Sequence, residues 1–223
     1  MNDTYNPNTF VITIGRSFGS GGGKFACELG RRLGLPVYDE KILAKAAEDS
    51  NIREDLLQRI DESNDFSVPI VFNTGGVSMP GSVFLYNDNY LSNENLFNIV
   101  SDTIKELAKK GSLILVGRCS DFILRDHPHL LSIFVTENKS LRLERIIERI
   151  EDVKTEEEAE EYMIKVDRQR RQYYNFYTGG RWGRCENYDL SFKLSELGTD
   201  YAISLIADLL KRKGFPVEAP AKE

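Results

Sequence analysis

The chain has 223 residues, a formal net charge of −6 and 41% apolar content, which bounds it to one α/β domain or one domain with an inserted lid. The acidic balance disfavours non-specific nucleic-acid binding, and no apolar run approaches the roughly 20 residues of a membrane-spanning helix. The opening MNDTYNPNTF lacks the basic and apolar regions of a signal peptide. Cys27, Cys119 and Cys185 are too few and too scattered for a disulfide framework or a zinc site. These features fit a reducing cytoplasm.

The first apolar run, Phe10 to Ile14, breaks into Gly15, Gly19, Gly21, Gly22 and Gly23; an amphipathic pattern follows, with Phe25, Ala26, Leu29 and Leu33 apolar. This reads as strand, glycine turn, helix. Glycines bring consecutive N–H groups close to a ligand, and a helix N-terminus adds unpaired donors and partial positive charge. The stretch is therefore a candidate phosphate cradle. Its fit to the pattern G-x-x-x-x-G-K-[ST] is incomplete. With Gly21 as the second glycine, the lysine and hydroxyl positions hold Gly22 and Gly23, and the first glycine position holds Arg16. Sliding the register so that Gly23-Lys24 supplies the G-K puts Phe18 and Phe25 at the other two positions. A plain flexible turn is the alternative, but five glycines exceed what a turn needs.

Gly34 supplies a stop, and Leu35 to Tyr38 a short second strand ending at Asp39. Asp39 is placed either to face the glycine loop, as a metal-water ligand or substrate contact, or to cap a helix over 41–48. Ile52, Leu56, Leu57 and Ile60 repeat at helical spacing. Residues 63–92 carry prolines, glycines and the short runs Val68–Phe72 and Val83–Tyr86. They read as a substrate-side insertion with a small hairpin, or as an ornamental surface loop. A helix over Glu94 to Lys110, capped by Ser92 or Asn93, leads through Gly111 to the strand Ser112 to Val116. That strand runs into Gly117-Arg118-Cys119-Ser120-Asp121. An arginine at the end of a central strand offers a planar fork for a phosphate, or pairs with an acid such as Asp39.

A short helix from Phe122 to Arg125, loop residues His127 and His129, and a strand from Leu130 to Val135 follow. A helix spans Asn138 to Ile150, with Arg142, Arg145 and Arg149 on one face and Glu144 and Glu148 near enough to neutralise them. The next helix starts in the acidic run Glu156–Glu158 and continues through Tyr174, with Arg168 and Arg171 sharing a face. From Lys165 to Arg184 there are six Lys or Arg and one acid, a basic patch suited to polyphosphate or simply a solvated face. A glycine-rich turn surrounds Trp182, a final strand is expected over Tyr188 to Leu194, and a last helix over Thr199 or Asp200 to Leu210.

Three blocks, IGRSFGSGGGKFACELGRRLGLPVYDEKIL, SLILVGRCSDFIL and DRQRRQYYNFYTGGRWGRCENYDLSFKLSELG, resemble the cytidylate-kinase-like proteins of the P-loop nucleoside monophosphate kinases. The resemblance implies a three-layer α/β/α domain over residues 1–223, with a central five-stranded parallel sheet and a helical lid at about 150–184. It implies that Gly19, Ser20, Gly21, Gly22 and Gly23, with Lys24 beside them, hold the phosphates of ATP, used with Mg²⁺. Arg118 is then an acceptor ligand, with Asp39 and Asp121 on the same side. Arg142, Arg145, Arg168 and Arg171 are the arginines that clamp the transferred phosphoryl group. The expected acceptor is a nucleoside monophosphate or a similar small molecule, and no protein-built metal site is expected. The chain departs from authentic cytidylate kinases, which carry lysine and serine where it has Gly22 and Gly23. Arg16 is the candidate substitute; Lys24 is weaker, because two residues of helix rotate it about 200°. Two other readings are a catalytically silent nucleotide- or phosphate-binding regulator on the same fold and a single-stranded nucleic-acid binder using Arg168 to Tyr177.

Overall fold

Five short strands build the sheet, the three central ones from apolar runs with β-branched residues: β1 (Val11–Arg16), β2 (Val37–Tyr38), β3 (Leu113–Val116), β4 (Leu130–Thr136) and β5 (Leu190–Lys193). The computed structural model describes residues 5–39, 90–215 and 217. The strands lie in the order β2-β3-β1-β4-β5, and each neighbouring pair is parallel. The expected central five-stranded parallel sheet is thus present. The helices are α1 (Gly22–Leu33), α2 (Tyr90–Lys110), α3 (Ser120–Ile123), α4 (Lys139–Arg149), α5 (Glu156–Thr178), α6 (Leu194–Leu197) and α7 (Thr199–Arg212).

Strand alternation divides the core into two layers. Ile12 and Ile14 of β1 pack with Phe25, Ala26 and Leu29 of α1 and with Ile203 and Ile206 of α7. Val11, one residue out of phase, packs on the other face with Val100, Ile104 and Ala108 of α2. A third, smaller cluster lies off the sheet: Leu143 and Ile146 of α4 meet Ala159, Met163 and Val166 of α5 around Phe18 of the glycine loop. Thr155 and Glu158 close a reciprocal cap at the start of α5, which accounts for the acidic run there.

Some boundaries differ from expectation. Helix α2 begins at Tyr90, so Ser92 and Asn93 lie inside it and do not cap it. Helix α3 starts at Ser120, earlier than the Phe122 read from the sequence, because the left-handed residue Cys119 turns the chain directly into it. The end of the last expected strand forms the one-turn helix α6. The helices expected over 41–48 and 52–60, both hairpin runs and residues 63–89 of the insertion lie outside the described residues.

His127 sits just before β4 and is 4% exposed. Its Nδ1 accepts from the His129 backbone N–H at 3.1 Å, so the ring proton of the neutral form is on Nε2, which has no hydrogen-bond partner among the described residues. Burial, with His129 adding repulsion, lowers its pKa to about 4. The unfolded chain therefore binds an extra proton between about 6.5 and 4. The stability this group contributes is complete above pH 6.5 and is lost as pH falls towards 4. Chemical denaturation across this window should show a steeper loss in wild type than in His127→Gln; equal slopes would contradict the assignment.

Candidate active site

The loop between β1 and α1 is bent by two left-handed glycines, Gly19 at φ 74° and Gly21 at φ 82°. At Gly19 a side chain is excluded twice, because a Cβ would also lie 2.9 Å from the Arg142 carbonyl oxygen. Helix α4 thus comes against the loop backbone.

Three arginines hold this loop by its carbonyl groups. Arg142 donates from Nε to the Phe18 carbonyl at 2.6 Å. Arg145 donates from Nη1 to the carbonyls of Gly19, at 3.2 Å, and Ser20, at 3.0 Å. Arg170 donates to the Arg16 carbonyl at 3.0 Å. Asp167 of α5 closes the arrangement: it accepts from the Phe18 N–H at 2.8 Å and is ion-paired to Arg142. In a trans peptide unit the C=O and N–H point in opposite directions. Gripping the Phe18 and Ser20 carbonyls therefore turns the N–H groups of Gly19 and Gly21 the other way. Together with Gly23 and Lys24 of the first helical turn, these amides have no acceptor among the described residues. The result is a nest of donors at a helix N-terminus, suited to an anion.

Beside the loop, a cavity opens at the carboxyl ends of β1 and β3. It is lined by Gly15, Arg16, Gly117, Arg118, Cys119 and Asp121, and on its far wall by Gln169, Arg170, Tyr173, Tyr174, Trp182 and Tyr188. Gly117, Arg118 and Cys119 are successively left-handed, at φ 78°, 55° and 56°. For the two non-glycine residues this costs about 1 kcal/mol or more each, a strain that clusters at functional sites. A Cβ on Gly117 would overlap the Arg16 guanidinium, which lies across it. Three guanidiniums, Arg16, Arg118 and Arg170, thus line one cavity. Asp121 is half-buried in the lining and accepts from the Tyr174 hydroxyl at 2.7 Å. Burial raises its pKa, with the tyrosine hydrogen bond offsetting only part of the shift. The Cys119 thiol is also pushed up by burial, then by Asp121, so it stays protonated and unreactive.

Among the expected site residues, Arg16, Arg118 and Asp121 come together in this cavity, and Gly19 to Lys24 form the adjoining loop and the first turn of α1. The other expected residues lie elsewhere. Arg142 and Arg145 face the loop's carbonyls and not an open phosphoryl site, and their acidic partners are Asp167 and Glu137, not Glu144 or Glu148. Glu137 is buried; burial pushes its pKa up, but hydrogen bonds from Ser195 and the Asn138 N–H outweigh that and leave it lowered. Arg168 and Arg171 are exposed and outside the cavity lining, with Arg171 directed at the Trp182 ring 6.0 Å away. Lys24 and Asp39 are exposed, and Asp39 is not part of the lining. The stretch expected as a lid is tied to the loop through Asp167.

Sequence reasoning missed Arg170, Tyr173 and Tyr174. The signal was available: these positions, at i, i+3 and i+4, form an arginine–aromatic stripe on one helical face.

A cytidylate kinase-like family model matches residues 11–196. The chain belongs to the cytidylate kinase-like family. Among solved structures, an uncharacterized protein from Eubacterium ventriosum ATCC 27560 is 29% identical, covering 92% of this chain and 99% of its own, with a TM-score of 0.67. Shikimate kinase from Bacteroides thetaiotaomicron is 13% identical, covering 91% and 99%, with a TM-score of 0.50, a likeness of fold. No curated protein matches the chain. This family member therefore has a P-loop kinase-type three-layer α/β/α fold and is kinase-like and nucleotide-binding at the level of its family.

Within that family frame the loop explains its own departure from the lysine pattern. A Cβ on Gly22 would stand 2.7 Å from the Arg16 Cβ and 3.2 Å from the Val135 Cβ, whereas one on Gly23 would meet nothing within 4 Å. Gly22→Ala should destabilise the fold by about 1–3 kcal/mol through overpacking, and Gly23→Ser should leave it unchanged; equal midpoints in urea for the two variants would contradict this geometry. The Arg142 and Asp167 side chains are 13% and 14% exposed, so Asp167→Ala strands a largely buried cation and should cost about 3 kcal/mol. A loss below about 1 kcal/mol in the same denaturation assay would show that the clamp contributes little.

Proposed function

We propose that the chain transfers a phosphoryl group from ATP to a nucleoside monophosphate or a similarly small anionic acceptor, in the cytoplasm. One observation carries this reading. The amides of Gly19, Gly21, Gly23 and Lys24 and the guanidiniums of Arg16, Arg118 and Arg170 flank the same strand ends, an anion nest beside a cationic cavity. Phosphoryl transfer needs in-line positioning and positive charge around the equatorial oxygens more than it needs covalent chemistry. The nest orients the donor phosphates. Arg118 engages the acceptor. Arg16 and Arg170, reaching the boundary between nest and cavity, replace the ammonium that Gly22 cannot supply. Residues of about 150–184 act as the lid, with α5 presenting Arg170. Mg²⁺ bound with the nucleotide would supply charge neutralisation, and Asp39 at the end of β2 is the carboxylate proposed to face it through water.

The alternative, a silent nucleotide-binding regulator, has one observation in its favour: Gly22 has no room for a lysine and Lys24 is exposed. Incubation with ATP, Mg²⁺ and a panel of monophosphates separates the two. Acceptor-dependent ADP formation is expected, falling about a hundredfold in Arg16→Ala, Arg118→Ala and Arg170→Ala, while Arg171→Ala stays within about threefold of wild type. Tight ATP binding without ADP formation for any acceptor would establish the regulator.

A further inference from the structure

Arg118 is presented on an unusual backbone. Three successive left-handed residues place it at the rim of the cavity, and an arginine so placed still has a flexible side chain whose ordering is costly. Orienting the guanidinium before an acceptor binds lowers that cost. The Arg118 Cζ lies 5.5 Å from the centroid of the Tyr173 ring. Tyr173 is itself braced. Its ring packs at 4.8 Å and 59° on Tyr177, and Tyr177 stacks on Phe97 at 4.0 Å with the planes 3° from parallel. Phe97 also touches Tyr173 directly, at 6.3 Å. A column of three rings therefore runs from α2 through one face of α5 to the arginine.

We propose that Tyr173 is a positioning residue that holds the Arg118 guanidinium ready for the acceptor's anionic group, and that the Phe97–Tyr177 stack fixes Tyr173 from behind. This rests on the reading of Arg118 as an acceptor ligand. The ring supplies a face that attracts the cation and restricts its rotation, and a guanidinium held by its face presents the edge of its planar fork in a fixed direction. Removing the ring takes away this restraint, and more of the arginine's ordering is then charged to acceptor binding. The column bears on the acceptor side, because the Phe18, Gly19 and Ser20 backbone is held by other side chains, Arg142, Arg145 and Asp167.

The test is steady-state kinetics on the full chain with the best acceptor from the monophosphate panel, for wild type, Arg118→Ala, Tyr173→Phe, Tyr173→Leu and Tyr177→Leu. Tyr173→Leu should raise the acceptor KM about tenfold and leave the ATP KM within twofold. Tyr173→Phe, which keeps the ring, should stay within about threefold of wild type. Tyr177→Leu, at a half-buried position, should raise the acceptor KM about threefold, and it carries the test alone if Tyr173→Leu fails to fold. An unchanged acceptor KM, a parallel rise in both KM values, or a Tyr173→Phe variant as impaired as Tyr173→Leu would each overturn the proposal. Loss of the underlying reading looks different: no turnover in wild type, or full turnover in Arg118→Ala, removes the role of Arg118 and the proposal with it.

Discussion

The structure depends on a grip by guanidinium groups on the carbonyl side of one loop. Arg142, Arg145 and Arg170 each donate to carbonyls between Arg16 and Ser20. Because peptide units are rigid, holding the carbonyls fixes the direction of the amides. Phe18 adds an apolar anchor: its ring is buried in the α4–α5 cluster while its N–H and C=O are bound by Asp167 and Arg142. A loop of glycines is entropically costly to order. Here that cost is offset by charged hydrogen bonds and by burial of one large ring, worth about 2–3 kcal/mol.

The same arrangement relocates positive charge. A lysine on the loop would put its ammonium beside the phosphates. In this chain the position is closed by Arg16 and Val135, and cations enter from β1, the β3 turn and α5 as Arg16, Arg118 and Arg170. Guanidiniums stay charged at any physiological pH and bind oxygens in a fixed fork. The cation over Phe18 belongs to Arg170, at 5.4 Å, so one arginine touches both the anchored loop and the cavity. Helix α5 is thereby tied to the loop through two side chains, Arg170 and Asp167.

Much of this was legible in the sequence where the signal is local. The apolar runs and the glycines between Gly15 and Gly23 gave strand, loop and helix directly, and the layered architecture came from the family resemblance; that Val11 and Ile12 enter two different cores is seen only in the structure. What escaped was long-range. Asp167 is 149 positions from Phe18, and nothing in the run DRQRRQ marks its acid as the loop's partner. The arginine face of α5 was read one step off, from Arg168 and Arg171 and not Arg170; one residue of helix is about 100°, enough to exchange cavity for solvent. Arg142 and Arg145 were found as an arginine pair, but their direction depended on where α4 packs, which spacing alone does not set. The Gly22 departure read as a loss, and the crowding by Arg16 and Val135 was visible only in three dimensions.

The central claim is that main-chain amides, aimed by arginines behind them, bind phosphate without a loop lysine. The most direct test is a titration of ¹⁵N-labelled protein with ATP and Mg²⁺, followed by amide resonances. Saturable shifts should appear at Gly19, Gly21, Gly23 and Lys24 and be weakened by Arg145→Ala, which frees the Ser20 carbonyl. Binding that moves other resonances while leaving those four amides in place would contradict the claim.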